Sequence, residues 1–178
     1  MTDISDMEPY KDQDVPQVIN RLLRDDEFIK AVGQLKFKAW YSFFSPFLKP
    51  KIRAFLRQQA SQIHSVLDFQ ELVAPQLAKV LSSTTETFTV SGLEQLDPKQ
   101  SYLFLSNHRD IVMDPAFVNW ALYNGGFNTV RIAIGDNLVK KPFVGDLMRI
   151  NKSFIVMRSL SGPREMLQTY SALSAYIR

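Results

Sequence analysis

A short stretch in the middle of the chain, FLSNHRDIVMDP at residues 104–115, places a histidine, an arginine and two aspartates directly after an apolar run. His108 is one of only two histidines among the 178 residues. Imidazole titrates near neutral pH, so it can take a proton from a hydroxyl group, and a neighbouring carboxylate would orient it and stabilise its charged form. Asp110 and Asp114 are both candidates for that carboxylate. The stretch therefore indicates acid–base chemistry at His108.

Each of these residues also has a simpler structural interpretation. A histidine at the end of a strand is often only exposed or structural. Asp114 followed by Pro115 matches an ordinary helix N-cap with proline at the first helical position. An aspartate could cap a helix and orient a histidine at once, so the two interpretations of Asp114 are compatible.

The elements around His108 follow an alternating pattern from Thr85 onward. Two strands are predicted within TFTVSGLEQLDPKQSYLFLSNH, followed by a helix over DPAFVNWALYN that Gly125 and Gly126 close. A strand (TVRIAIG), a short helix (KPFVGDLMRIN), a strand (KSFIVMR) and a last helix to residue 178 come next. This order predicts an α/β domain over residues 85–178 with a largely parallel sheet flanked by helices. Ligands of such sheets bind beyond the carboxyl ends of the strands, where His108 would lie.

The first part of the chain has a different character. Residues 1–14 are predicted to be a polar, mobile tail, and residues 15–84 a helical region. One helix is expected over VPQVINRLLRDDEFIKAVGQL and a second from Leu35 to Phe44. Pro46 and Pro50 should end that second helix, a third should span residues 51–63, and the last should be interrupted at Pro75.

Residues 30–67 of this region contain seven basic residues, seven aromatic residues and no acidic one. Aromatic rings favour the boundary between lipid and water, and basic residues are attracted to anionic lipids, so the segment could hold the protein against a membrane. The alternative is that the aromatic residues form the core of a small helical subdomain and the charges are simply solvated. The two interpretations can hold on different faces.

Composition excludes several classes of function. The chain has no cysteine, which rules out disulfides, thiolate zinc sites and a cysteine nucleophile. A net charge of +3 is too small to indicate nucleic-acid binding. The start of the chain lacks the basic-then-apolar pattern of a secretory signal, and no apolar run reaches the roughly 20 residues that a membrane span needs. These features predict a cytoplasmic protein, peripheral at the inner face of the membrane.

SNHRDIVMDP resembles the first motif of the glycerolipid acyltransferases, the glycerol-phosphate and acylglycerol-phosphate acyltransferases, in which four residues separate a histidine from an aspartate. The preceding FTVSGLEQLDPKQSYLFLSNH is similar to that family's strand, turn and strand. IAIGDNLVKKPFVGDLMRINKSFIVMR resembles its second motif, most of all in the glycerol-phosphate branch. The resemblance covers about residues 86–158, and it looks like the amino-terminal portion of a longer acyltransferase.

The resemblance implies a role for several residues. His108 would be the general base, oriented by Asp114, while Arg158 would bind the phosphate of the acceptor with help from Arg109. The acyl donor would be a thioester of coenzyme A or acyl carrier protein, and no metal or other cofactor is expected. Five residues, rather than four, separate His108 from Asp114, which leaves Asp110 as an alternative partner. Asp114 is favoured because DPAFVNWAL matches the continuation of the motif.

Three hypotheses follow from the sequence. The first is an acyltransferase of phospholipid biosynthesis that acts on glycerol 3-phosphate or a lysophosphatidate-type acceptor. The second is a catalytically incomplete protein of the same fold that binds lipid or acyl carrier protein, because the family's third motif contains a Glu-Gly pair that this chain lacks. The third is a thioester hydrolase in which water replaces the acceptor hydroxyl.

Overall fold

A computed structural model describes residues 7–37, 40–107 and 109–157, together with 162–163, 166–167, 169–171 and 174. Its elements lie in the following order: α1 (Val15–Arg24), α2 (Asp26–Phe37), α3 (Trp40–Ala60), α4 (Val66–Thr84), α5 (Met113–Asn124), β1 (Ile132–Gly135), α6 (Pro142–Ile150) and β2 (Ser153–Val156). Short 3-10 turns precede α1, follow Gly92 and follow β1. Within the predicted last helix, the structure assigns a helical conformation to residues 163, 166–167, 169–171 and 174.

The predicted α/β fold with a helical amino-terminal region is confirmed, with a smaller sheet than the sequence suggests. β1 and β2 form a two-stranded parallel sheet, connected through α6. The two strands predicted before His108 are wrong, because residues 87–91 and 101–107 belong to no helix or strand. A strand needs a hydrogen-bonded neighbour, and among the described residues neither run pairs with another.

Residue contacts divide the chain into two compact units. The first contains Met1–Glu71 and Ala133–Arg178, and the second contains Leu72–Ile132. Helices α1, α2 and α3 therefore belong to the same compact unit as α6 and β2. The reason is a common apolar core, in which one face of α1 and residues that flank α4 pack on α6; its buried members are Val15, Val18, Ile19, Leu22, Ile63, Val66, Phe143 and Ile150.

The helix boundaries differ from the predicted ones at aspartate and proline. The helix expected over residues 15–35 is broken at Asp25, whose Oδ1 accepts hydrogen bonds from the N–H groups of Glu27 (2.7 Å) and Phe28 (2.9 Å). This aspartate caps α2 and so starts a new helix. In contrast, α3 contains Pro46 and Pro50, and α4 contains Pro75, without ending. Tertiary packing overrides the local cost of these prolines.

Two residues of the amino-terminal segment, Met7 and Tyr10, contact other parts of the first unit. Met7 is buried, and its carbonyl accepts a hydrogen bond from the N–H of Ile155 in β2 (2.8 Å). The N–H of Tyr10 donates to the carbonyl of Arg149 (3.2 Å). Apolar and aromatic side chains at positions 7 and 10 explain the packing. Residues 1–6 of the predicted tail lie outside the described residues.

A buried carboxylate connects this segment to two helices. Asp146 of α6 is 7 % exposed, and it accepts hydrogen bonds from Arg21 Nε (2.7 Å), Arg21 Nη2 (2.6 Å) and Tyr10 Oη (2.8 Å). Arg149 lies over the Tyr10 ring, 4.1 Å from its centroid, and donates to its hydroxyl (3.1 Å). Hydrogen bonding to Asp146 raises the pKa of Arg21, and burial, followed by the Asp146 hydrogen bond, raises the pKa of Tyr10. A bidentate guanidinium–carboxylate pair therefore joins α1 to α6.

A glycine allows α2 and α3 to pack closely. The side chain of Tyr41 lies against Gly33, and a Cβ atom at position 33 would overlap its ring. Tyr41, Ile29 and Ile52 form the buried centre of this helix pair. The Tyr41 hydroxyl is buried, and it makes no hydrogen bond in the described part of the chain, so shape rather than polarity holds the ring there.

We expect Gly33→Ala to lower the free energy of unfolding by about 1–3 kcal/mol, because the added methyl group overpacks the contact with Tyr41. Urea denaturation would measure the change. Gly145→Ala in α6 is the matched control, since the nearest atom to its new Cβ, Val139 Cβ, is 3.7 Å away. That variant should be neutral or more stable by up to about 1 kcal/mol. A Gly33→Ala protein as stable as the wild type would contradict the close packing.

Asp146→Asn should lower the free energy of unfolding by about 1–3 kcal/mol, because it removes the charged acceptor of a largely buried network. Asp26→Asn tests an exposed carboxylate that pairs with Lys49 and Arg53, and its cost should stay below about 1 kcal/mol. Both values come from the same urea titration. Equal costs for the two variants would show that burial of Asp146 adds nothing to its contribution.

Candidate active site

The candidate site lies in the second unit, where the turn at residues 109–112 leads into α5. The Oδ2 atom of Asp114 accepts hydrogen bonds from the backbone N–H groups of Arg109 (2.6 Å) and Asp110 (2.9 Å). Asp114 itself lies in the first turn of α5, where the helix dipole favours a negative charge. Its carboxylate is therefore folded back over the turn and is held by the backbone.

Asp110 has a different task in the same turn. Its Oδ1 atom accepts hydrogen bonds from the N–H groups of Val112 (2.8 Å) and Met113 (2.7 Å), which would otherwise lack helical partners at the start of α5. Val112 rather than Asp114 directly precedes α5, and the Asp110 side chain, two positions before Val112, satisfies the first amides of the helix. An aspartate often accepts hydrogen bonds from the N–H groups two and three residues after it. The sequence therefore contained a signal for this role of Asp110.

These bonds distinguish the two aspartates with respect to residue 108. The Asp114 carboxylate lies beside the peptide bond that joins residue 108 to Arg109, since it accepts the hydrogen bond of that amide. The Oδ1 atom of Asp110 faces the other way along the chain, toward α5. His108 lies outside the described residues, so its pairing with either carboxylate stays a prediction.

Three contacts within the second unit hold α5 in place. Phe117 of α5 stacks on Phe88, with 5.1 Å between ring centroids. Leu93 packs against Gly125 at the end of α5. Asn119 is buried, and its side-chain oxygen accepts a hydrogen bond from the N–H of Val130 (2.9 Å), which ties α5 to the segment that enters β1. Sequence reasoning missed Asn119, although a single amide in the apolar run AFVNWAL indicates a specific partner.

The turn has apolar side chains on both sides. Leu103 and Leu105 precede position 108 and are 78 % and 87 % exposed. Ile111 and Val112 follow it and are also exposed. Asp110 therefore lies between exposed apolar residues in the sequence, and Asp114 follows them. Exposed apolar side chains near ionisable groups are typical of sites that accept an amphipathic ligand.

Of the two arginines predicted to bind the acceptor phosphate, the structure describes Arg109 only. The Arg109 side chain is exposed, at the end of the turn. Arg158 lies outside the described residues, two positions after the end of β2 in the other unit. Lys140 and Lys141 are exposed, and Lys141 Nζ lies 3.4 Å from Glu27 Oε1. A phosphate site that includes Arg109 and Arg158 therefore stays a prediction.

Among the described residues, no group of three or more histidine, aspartate or glutamate side chains is arranged to hold a metal ion. No helix within that same part is long and apolar enough to cross a membrane.

Comparison with protein families identifies the class of the protein. The model of the acyltransferase family matches residues 87–176, which are 90 of the 178 residues and include the turn, α5, β1, α6 and β2. The chain belongs to the acyltransferase family and is a transferase of acyl groups. No curated protein and no solved structure matches it.

The division of labour between the aspartates predicts how α5 responds to substitution. Asp110→Ala should lower the free energy of unfolding by about 1 kcal/mol, because it removes two capping hydrogen bonds. Asp110→Asn should cost only a few tenths of that, since asparagine caps as well as aspartate. Thermal and urea denaturation would measure both. Equal stability of the alanine and asparagine variants would exclude the capping role.

Proposed function

We propose that the protein transfers a fatty acyl group from an acyl thioester to a hydroxyl of glycerol 3-phosphate or a lysophosphatidate-type acceptor, as a step of phospholipid biosynthesis. The donor is a thioester of coenzyme A or acyl carrier protein. Membership of the acyltransferase family supports acyl transfer. The resemblance of SNHRDIVMDP and GDNLVKKPFVGDLMRINKSFIVMR to the two glycerolipid motifs supports the acceptor class.

The chemistry needs one proton acceptor and one thiol leaving group. His108 removes the proton of the acceptor hydroxyl while its oxygen attacks the carbonyl carbon of the thioester. The tetrahedral intermediate collapses, the carbon–sulfur bond breaks, and the imidazolium returns the proton to the departing thiolate. An ester and a free thiol are the products. No oxidant, metal or covalent acyl-enzyme is required for this balance.

The observation that carries the proposal is the position of the Asp114 carboxylate. Its Oδ2 atom accepts a hydrogen bond from the N–H of Arg109, at 2.6 Å, which fixes a negative charge at the residue that follows His108 in the sequence. A carboxylate so placed can accept a hydrogen bond from one imidazole nitrogen, which leaves the other nitrogen as the base. In this proposal Asp114 is a positioning residue, and it also stabilises the imidazolium.

The substrates match the groups around the turn. Leu103, Leu105, Ile111 and Val112 offer an apolar surface to the acyl chain. Arg158 binds the phosphate of the acceptor, because a guanidinium can bond two phosphate oxygens at once. Arg109 assists from the turn itself.

The test of the reaction class is thiol release from a long-chain acyl-coenzyme A by the purified chain, with and without glycerol 3-phosphate or lysophosphatidate. Acceptor-dependent release, with the acylated product detected by mass spectrometry, is the expected result. Release that ignores the acceptor would indicate a hydrolase. Thioester binding without release by a folded protein would indicate a binding protein, and either result would overturn the proposal.

His108→Ala should abolish turnover and leave the fold intact. Asp114→Asn should slow turnover by about 10²-fold or more, because asparagine can still accept the two backbone hydrogen bonds but carries no charge. It should also move the acidic limb of the pH–rate profile to lower pH, since the imidazolium loses its counter-charge.

Asp110→Asn is the matched control for that experiment, because it removes a charge from the same turn. It should leave both the rate and the pH profile nearly unchanged. If Asp110→Asn were the slower variant, Asp110 would be the partner of His108. An active and unaltered His108→Ala protein would exclude the mechanism.

A further inference from the structure

The segment before α1 contacts three elements of the first unit. We call residues 7–12 the amino-terminal strap. At one end of the strap, the Met7 carbonyl accepts a hydrogen bond from the N–H of Ile155 in β2 (2.8 Å). At the other end, Asp12 Oδ1 accepts one from the N–H of Val66 (2.8 Å), the first residue of α4. Pro9 restricts the backbone between these two points, so less conformational entropy is lost when the strap docks.

Between its ends, the strap holds the last turn of α6 through Arg149. Arg149 Nε donates a hydrogen bond to the carbonyl of Glu8 (2.7 Å), and its Nη1 atom donates to Tyr10 Oη (3.1 Å). The N–H of Tyr10 donates in turn to the carbonyl of Arg149 (3.2 Å). That carbonyl is one of the last four of α6, which lack acceptor partners within the helix. The strap therefore caps the carboxyl end of α6.

The turn that follows α6 is strained. Two residues, Asn151 and Lys152, connect α6 to β2. Lys152 has a φ angle of 60°, and it is the one residue other than glycine with a positive φ in the described part of the chain. This left-handed conformation is unfavourable for a residue with a Cβ atom, and it persists where surrounding contacts hold it. The bonds from the strap lie on both sides of the turn, at Arg149 before it and at Ile155 after it.

We propose that the amino-terminal strap is a positioning element for binding of the acceptor. By holding both ends of the strained turn, it sets the position of β2, and the chain continues from β2 to Arg158, to which the proposed function assigns the acceptor phosphate. The inference rests on that proposed function. A guanidinium bonds two phosphate oxygens only from a narrow range of positions, so a small displacement weakens binding. His108 belongs to the other unit, so the strap acts on acceptor binding and not on proton transfer.

The test releases the strap at two separate points. Met7→Asp places a charge at a position that is 8 % exposed, whereas Met7→Leu keeps an apolar side chain of similar size and is the matched control. Arg149→Met keeps a long side chain but removes the bonds to Glu8 and Tyr10. Met7→Asp and Arg149→Met should raise the KM for glycerol 3-phosphate about tenfold, with kcat and the KM for the thioester within about twofold of the wild type. Met7→Leu should match the wild type.

Two further readouts do not depend on turnover. Hydrogen–deuterium exchange followed by mass spectrometry should be faster over residues 151–157 in both strap variants, because the N–H of Ile155 loses its acceptor. Exchange over α5, in the second unit, should not change. Calorimetric titration with glycerol 3-phosphate alone should show the same weakening as the KM. Arg149 is partly exposed, so Arg149→Met keeps the test decisive if Met7→Asp does not fold.

Gly33→Ala separates positioning from a general loss of stability. It lowers the free energy of unfolding of the same unit at the contact of α2 with α3, and it should leave the KM for glycerol 3-phosphate unchanged. An equal rise of the KM in Gly33→Ala and in the strap variants would overturn the inference, because instability would then explain it.

Failure of the inference and failure of the proposed function are seen separately. Wild-type acyl transfer with an unaltered KM in folded strap variants whose residues 151–157 exchange faster would overturn the inference alone. A wild-type protein that neither binds glycerol 3-phosphate nor releases thiol in response to it would overturn the proposed acceptor, and the inference with it. Circular dichroism and thermal denaturation would establish that each variant is folded.

Discussion

The first unit depends on a single buried carboxylate. Asp146 would be costly to bury alone, but three hydrogen bonds from Arg21 and Tyr10 satisfy both of its oxygens. These bonds connect α1 and the amino-terminal segment to α6, the helix that links β1 to β2. The apolar core supplies most of the free energy of burial in this unit. Apolar contacts alone do not specify how the helices are oriented. The ion pair fixes which face of α6 meets α1.

Carboxylates that accept backbone N–H groups define most of the turns as well. Each one satisfies amides that a helix start or a tight turn leaves without partners. The device recurs along the chain at Asp14, Asp25, Asp68, Asp97, Asp110 and Asp114. At Asp68, hydrogen bonds from the backbone of His64 and from Ser65 lower the pKa of the carboxyl group. Short local signals thus set the points where elements begin.

Periodicity predicted the helices and the strands β1 and β2 because these elements bury their own apolar residues. α6 was predicted from KPFVGDLMRIN, and it buries Phe143 and Ile150. The failures have two physical causes. Local propensity ended α3 at Pro46, whereas packing of Tyr41 and Ile52 on α2 continues it. The apolar run YLFLSN predicted a strand, but a strand is a property of two partners, and a single run does not specify the second one.

The candidate site also shows what sequence patterns can and cannot predict. His108 and the two aspartates were found from residue type and spacing, and the resemblance to the glycerolipid motif favoured Asp114 over Asp110 as the partner of His108, although five residues intervene where that motif has four. Asp114 accepts a hydrogen bond from the N–H of Arg109, whereas Asp110 accepts those of Val112 and Met113 at the start of α5. In the proposed mechanism the carboxylate that orients His108 needs a fixed position, and hydrogen bonds from the backbone hold the Asp114 carboxylate in place.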